Sequence, residues 1–162
     1  MENKININEL FENIKKDTSL LSTIDIDELL KAVENEQNDY LENKTLDHLF
    51  NENMNSLNEL KISKQKIKEI SEKIAGYRFV ENLSEIHKGK HIRWIKINDI
   101  DKKLTNGGLV MDIKFFDKGS YILCKNMQHR LFQIKFDDCV IFQKLSQGEQ
   151  LILLAYEHIH KK

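Results

Sequence analysis

The fold of this chain is decided by the stretch Gly89-Lys90-His91-Ile92-Arg93-Trp94-Ile95-Lys96-Ile97. The stretch holds the only tryptophan, and it separates a helical, acidic first half from a strand-rich, basic second half. Apolar and polar residues alternate through most of it, which is typical of a half-buried strand. We therefore predict that His91–Ile97 is the first full strand of a small β-domain.

The second half of the chain continues the strand pattern. Asn106-Gly107-Gly108 and Asp117-Lys118-Gly119 are turn signals, because Gly and Asn tolerate positive φ. Tyr77–Val80 reads as either a short strand or a bridging turn. The five predicted strands are His91–Ile97, Leu109–Phe116, Ser120–Lys125, Arg130–Phe136 and Cys139–Lys144.

Five antiparallel strands with short turns predict a small barrel or a strongly curved sheet, and SH3-like and OB-like barrels are the natural candidates. An OB-fold carries a helix between its third and fourth strands. Here that connection is only the short turn Asn126-Met127-Gln128-His129. We therefore predict an α+β protein in which amphipathic N-terminal helices precede a five-stranded SH3-like barrel with a C-terminal helix.

The helices are predicted from their start and stop signals. An N-cap acceptor followed three residues later by Glu is a capping box, and Gly at the end of a helical stripe is a common stop. The apolar stripes between these signals are narrow, so we expect the helices to pack on each other, on the β half or on a partner. The signals are Asn6 with Glu9, Asp25 with Glu28, Ser63, Gly76, and Ser146 with Glu149.

We predict two domains, an acidic helical arm or bundle over residues 1–76 and a basic β-barrel domain with a C-terminal helix over residues 77–162. The first carries 10 Lys and Arg against 16 Asp and Glu, and the second carries 15 against 10. Such polarity indicates a basic binding face, or parts that attract each other or neighbouring copies. The plainer alternative is a solvated surface with an uneven distribution of charge.

No membrane span is predicted, because the apolar run Leu151–Tyr156 is far shorter than the ~20 residues that a spanning helix needs. The opening Met-Glu-Asn-Lys does not resemble a signal peptide. We therefore expect an intracellular protein. In a reducing compartment Cys124 and Cys139 are expected to be small buried hydrophobic residues rather than a disulfide.

Catalytic chemistry is not predicted, because no acids, bases or nucleophiles fall at usable spacings. Asp137-Asp138 sits at an expected turn, where Asp is an ordinary residue. Cys124, His129 and Cys139 lack the paired spacing of a zinc site. We predict no catalytic residues, no metal and no cofactor. A pocket lined by several titratable groups would reopen the enzyme hypothesis.

Nucleic-acid binding is the most specific alternative, since single-strand binders combine a cationic groove with aromatic platforms. Trp94 shares its strand face with Ile92, so we predict that it lies in the core, and Tyr121 at a hairpin end is the better exposed aromatic. The overall pI of about 6.6 is lower than such domains usually show. The candidate residues for nucleic acid or an acidic partner are Lys88, Lys90, Arg93, Lys96, Tyr121, Lys125 and Arg130.

Three stretches of the β half carry a family resemblance, namely residues 89–95, Leu104-Thr105-Asn106-Gly107-Gly108, and Ile141-Phe142-Gln143-Lys144-Leu145. In them the chain resembles uncharacterised small β-barrel proteins of large DNA viruses, over roughly residues 88–156. The resemblance includes no catalytic motif and transfers no functional residue. It implies an intracellular viral protein of the host cytoplasm or the virion, with a part in assembly or gene expression.

The sequence therefore favours a non-enzymatic structural or interaction protein, a component of a larger assembly. The β-barrel would be its platform and the helices its docking elements. Its expected partners are other protein chains, including copies of itself, and no membrane. The alternative is a nucleic-acid-binding module that uses the basic face around Arg93.

Overall fold

The computed structural model describes residues 26–160. The predicted capping box at Asn6 and Glu9, and the Asp25 cap, lie outside the described residues. Within them the chain is an α+β protein, as predicted. The helices are α1 (Ile26–Glu34), α2 (Leu46–Asn58), α3 (Lys64–Lys73) and α4 (Gln147–His160), with 3₁₀ turns at Glu36–Leu41, Leu83–Glu85 and Phe136–Asp138.

Among residues 26–160 the sheet has six antiparallel strands, so the prediction of five is wrong. The strands are β1 (Tyr77–Phe79), β2 (His91–Lys96), β3 (Gly108–Phe116), β4 (Gly119–Lys125), β5 (Leu131–Lys135) and β6 (Cys139–Lys144). The additional strand is β1, the segment that the sequence left open between a strand and a turn. It pairs with β6, and the strand order is β1-β6-β2-β3-β4-β5.

The sheet is open, with β1 and β5 as its edges, and no strand within residues 26–160 joins these edges. The predicted SH3-like barrel is therefore not confirmed. The physical reason is that both edges of β6 are already paired, one with β2 and the other with β1. The edge of β6 is therefore not free to pair with β5 and close a barrel. Strand spacing in the sequence could not reveal which strands would be edges.

The open sheet is nevertheless strongly curled. Four strand spacings separate β6 from β5, and at ~4.8 Å each a flat sheet would hold them roughly 19 Å apart. Only Phe136–Asp138 connects the two strands, and the four residue steps from Lys135 to Cys139 reach at most about 14 Å. The sheet must curl to close this difference. The Trp94 ring on β2 accordingly lies 5.4 Å, centroid to centroid, from the Phe132 ring on β5.

The two sides of the sheet bury separate apolar clusters. The concave side holds Ile92, Trp94, Val110, Ile122 and Ile134, and Trp94 is only 4% exposed. The prediction that Trp94 belongs to the core is therefore confirmed. Side chains of α2 and α3 cover the other side of β6 and β2, where the cluster includes Leu57, Ile67, Ile70, Ile95 and Phe142.

The C-terminal helix α4 packs with α1 in a cluster that includes Leu29, Val33, Ile152 and Leu153. Its predicted capping box is confirmed at both bonds. The Ser146 backbone N–H donates to Glu149 Oε1 at 3.0 Å, and the Glu149 backbone N–H donates to Ser146 Oγ at 3.1 Å. Ser63 likewise caps α3, because its Oγ accepts from the Lys66 N–H at 3.2 Å.

The chain forms two compact units, which divide it at residues 50 and 144 rather than at 76. Among described residues the helical unit takes 26–50 and 145–160, and the sheet unit takes 51–144. The C-terminal helix thus belongs to the helical unit. Over residues 51–144 the sequence has 18 Lys and Arg against 12 Asp and Glu, while the remainder has 7 against 14. The sheet unit is therefore net +6 and the remainder net −7.

Candidate functional site

The predicted cationic edge along β2 is separated into three places by the fold. Lys88 lies in the turn before β2, where its Nζ is 3.1 Å from Asp112 Oδ1 on β3. The hydrogen bond from Lys88 holds the pKa of Asp112 below its usual range. Both side chains are largely exposed, so this ion pair contributes little to stability. Lys90 is half-buried, and its carbonyl accepts from the Val110 N–H at 2.9 Å.

Arg93 has a structural role on the helix-covered side of the sheet. Its Nε donates to the Thr105 carbonyl at 2.8 Å, and its Nη1 donates to the Lys73 carbonyl at 3.2 Å. These bonds connect β2 to the end of α3 and to the segment before β3. The guanidinium, predicted as the centre of a binding face, is thus held against carbonyl oxygens of its own unit.

Lys96 and Tyr121 come together in a cleft of about 600 Å³, which we call the strand-end cleft. The lysines Lys96 and Lys135 and the carboxylates Asp99 and Asp138 are among its lining residues. Several titratable groups therefore line one cleft, which is the arrangement that would reopen the enzyme hypothesis. The remaining lining residues are Asn98, Tyr121, Gln133, Ile134 and Cys139.

The thiol in the strand-end cleft is not activated. Burial, with a further contribution from Asp138, raises the pKa of Cys139 to about 11. Burial likewise raises the pKa of Cys124 to about 12. A nucleophilic cysteine needs a lowered pKa, so neither thiol supports covalent catalysis. Within residues 26–160 no group of three or more His, Cys, Asp or Glu side chains is placed to hold a metal ion.

Lys125 and Arg130 flank the β4–β5 hairpin. Asn126 fixes the turn between them, because its Oδ1 accepts from the backbone N–H groups of Gln128 and Arg130, both at 3.0 Å. His129 takes a positive φ of 62° in the same turn. The turn therefore presents its flanking cations from a defined backbone.

This hairpin forms one wall of a second cavity, of about 380 Å³, which we call the mouth cavity. The opposite wall is the segment Thr105–Gly107 before β3, and Trp94 and Phe132 lie at the bottom. Asn106, Asn126, Met127 and Gln128 complete the lining. None of these lining residues carries a formal charge. No pattern in the sequence indicates this cavity, because the cavity depends on the curl that brings β2 close to β5.

The convex side of β3, β4 and β5 is a further candidate surface, which we call the outer face. Strand register places Leu109, Lys125 and Leu131 in one row and Lys114, Tyr121 and Lys135 in another. Leu109 is 43% exposed and Leu131 60% exposed. Phe116 packs edge-on against Tyr121, with ring centroids 5.4 Å apart. The outer face therefore mixes exposed apolar side chains with lysines.

The predicted site residues are thus dispersed. Lys88 and Arg93 form side-chain bonds within the unit, Lys90 is half-buried, and Lys96 lines the strand-end cleft with Tyr121. Lys125 and Arg130 flank the turn whose residues line the mouth cavity. No helix within residues 26–160 has both the length and the apolar character to cross a membrane. Comparison with known proteins found no matching family model, no matching curated protein and no matching solved structure.

Proposed function

We propose that this chain is a non-enzymatic structural or interaction protein and a component of a larger assembly. The observation that carries the proposal is the outer face. A solvated sheet face is normally polar, whereas this one exposes Leu109, Leu131 and Phe116 beside lysines. Apolar side chains grouped on one exposed face, with cations among them, are typical of a surface that another protein covers.

The charge distribution supports partners that are protein chains, including further copies of this chain. The sheet unit is net +6 and the remainder net −7. Complementary charges of this size speed encounter and select partners, although they add less to affinity than apolar burial does. The elevated pKa values of both thiols are consistent with a role other than covalent catalysis.

Self-association can be tested by mass photometry and sedimentation over a range of protein and salt concentrations. We expect oligomers that dissociate at high salt, and we expect the double variant Leu109→Ser, Leu131→Ser to remain monomeric. Ile100→Ser is the matched control, because Ile100 is 96% exposed but lies in the β2–β3 connection. A chain that stays monomeric and retains no partner in pull-down experiments would contradict the proposal.

The proposal extends to the architecture of the sheet and to the location of the assembly. The curl of the sheet and the short β5–β6 connection support an SH3-like architecture to which β1 is added. Interproton distances between β5 and β6 in solution would test it, since β5 would have to lie close to the β6 end of the sheet. The resemblance to proteins of large DNA viruses supports an assembly in the virion or the host cytoplasm. Fractionation of infected cells would test that location.

Nucleic-acid binding is the second candidate function. It is favoured by a cavity with an aromatic floor, lined by the turn that lies between Lys125 and Arg130, in a unit of net charge +6. Neutralising phosphates releases counterions, so affinity should fall steeply with salt. Fluorescence anisotropy with labelled DNA and RNA at low salt tests this. Undetectable binding would exclude the nucleic-acid function and leave the interaction function standing.

A further inference from the structure

The mouth cavity has an aromatic floor. Trp94 and Phe132 meet there with ring centroids 5.4 Å apart and planes inclined at 44°. Trp94 is 4% exposed while Phe132 is half-buried, so most of the accessible aromatic surface of the floor belongs to Phe132, with Trp94 packed against it. A floor of this kind accepts a flat, apolar-faced group from above.

The rim of the cavity supplies amides that are available to a ligand. Asn106 and Gln128 lie on opposite walls, and both are exposed. Among the described residues, neither side-chain amide has a hydrogen-bond partner. Asn126 differs, because its Oδ1 is occupied by the turn. Each free amide offers both a donor and an acceptor.

The walls of the cavity are held in place before any ligand arrives. A Cβ at Gly107 would lie 2.0 Å from the Ile92 carbonyl oxygen, so only glycine allows the Thr105–Gly107 wall to run this close to β2. The Thr105 N–H donates to the Trp94 carbonyl at 3.0 Å, which fixes the wall to the strand that carries the floor. Such preorganisation lowers the entropic cost of binding.

We propose that the mouth cavity binds one unpaired base of single-stranded nucleic acid, an inference that rests on the second candidate function above. An aromatic floor stacks a base, and Asn and Gln amides pair with the donor and acceptor edges of bases. A volume of about 380 Å³ is suitable for one such group. Arg130, exposed just before β5 and two residues from Phe132, meets a flanking phosphate.

The charge of the lining separates this cavity from the strand-end cleft. The mouth cavity has no carboxylate in its lining, whereas the strand-end cleft has Asp99 and Asp138. A polyanion is repelled by carboxylates at its binding site, so the mouth cavity is the favoured of the two. Arg130 acts on the backbone of the ligand, and the neutral amides of the rim act on the base.

Trp94 is the only tryptophan of the chain, so its fluorescence reports directly on the floor of the cavity. We expect short homopolymeric oligonucleotides to change Trp94 emission in a saturable way. The double variant Asn106→Ala, Gln128→Ala should weaken binding at least about tenfold, because both amides lose their pairing with the edges of the base. Asn98→Ala, Gln133→Ala is the matched control in the strand-end cleft and should bind as the native chain does.

Parallel anisotropy measurements separate the possible failures. Binding by anisotropy with unchanged Trp94 emission, and with native affinity in the Asn106 and Gln128 variant, would overturn the cavity assignment and keep the nucleic-acid function. No binding in either measurement would overturn both. Equal affinity for duplex, or for a free mononucleotide, would overturn an unpaired base within a strand. Circular dichroism should show all variants folded, since the substituted positions are exposed or lie in open cleft walls.

Discussion

At the scale of single residues, buried amides act as substitutes for backbone partners. Asn53 on α2 is 7% exposed, its Nδ2 donates to the Tyr77 carbonyl at 3.0 Å, and its Oδ1 accepts from the Phe79 N–H at 2.7 Å. It thereby satisfies the free side of the edge strand β1. The sequence around Asn53 does not indicate this role, because the role depends on a strand 24 residues away.

Replacing Asn53 should destabilise the sheet unit. Asn53→Ala removes both bonds and leaves a partly buried carbonyl and N–H of β1 without this partner, so we expect a loss of about 1–3 kcal/mol in the free energy of unfolding. Asn55→Ala, two residues along the same helix and exposed, should change it by no more than about 0.5 kcal/mol. Urea denaturation measures both. Equal losses would show that Asn53 does not satisfy β1.

His91 provides a pH-dependent contribution to stability. Burial, assisted by Arg93 and Lys144, lowers its pKa, and burial raises the pKa of Tyr77, whose hydroxyl lies 2.9 Å from His91 Nδ1. The unfolded chain therefore takes up a proton at His91 at a higher pH than the folded chain. The contribution of His91 to the free energy of unfolding is fully present above the unfolded pKa of about 6.5. It is lost as the pH falls below that value.

The variant His91→Gln should flatten this part of the pH profile. Between about pH 7 and pH 5 the native chain should lose more stability than the variant, because glutamine takes up no proton. His129→Asn is the control, at an exposed position where asparagine tolerates the positive φ. Denaturation midpoints across this pH range give the comparison. Parallel curves for the native chain and His91→Gln would refute the assignment.

At the scale of elements, the sequence predicted where helices start and which segments are strands. It did not always predict which face of a strand is buried. The Ser146 and Glu149 capping box is present as predicted, and Phe132 and Ile134 point inward on β5. In β3, however, strict alternation would put Met111 on the same face as the half-buried Ile113, and it does not lie there. A bulge between Val110 and Asp112 shifts the register, so Val110 is 1% exposed while Met111 is 44% exposed. Alternation in a sequence cannot show where a bulge adds a residue.

The packing of α4 on α1 gives a prediction at this scale. Leu153 is completely buried in the cluster that the two helices share. Leu153→Ala should cost about 2–5 kcal/mol and increase amide hydrogen exchange in α1, because it leaves a cavity in that cluster. Leu154→Ala is the control, since Leu154 is the next residue of the helix and is 38% exposed. Exchange in α1 that is the same in both variants would contradict this packing.

At the scale of the whole molecule, composition predicted a basic and an acidic part but not where one ends. The predicted boundary follows the change from helices to strands at residue 76, yet α3 and the end of α2 share a cluster with β6 and β2. Apolar stripes identify which side of a helix is buried, but they do not identify its partner. The mouth cavity was unpredictable for the same reason, since its walls are distant in sequence.

The sheet unit should fold without the rest of the chain. A fragment spanning residues 46–144 keeps α2 whole and contains both clusters that border the sheet. We expect cooperative thermal unfolding and a blue-shifted emission maximum from buried Trp94. The full chain serves as the reference for both signals. A red-shifted maximum with gradual unfolding would show that the fragment needs the helical unit.

The helical unit is discontinuous, and this has a consequence during synthesis. The packing partner of α1 is α4, and about 110 residues separate the two helices. At ribosomal rates of ~5–20 residues per second, α1 waits roughly 6–20 s for α4 to be made. The sheet unit, which is continuous, can fold in that interval. The nascent chain therefore carries an apolar helix face, with Leu29 and Val33, that chaperones or an already assembled partner can cover first.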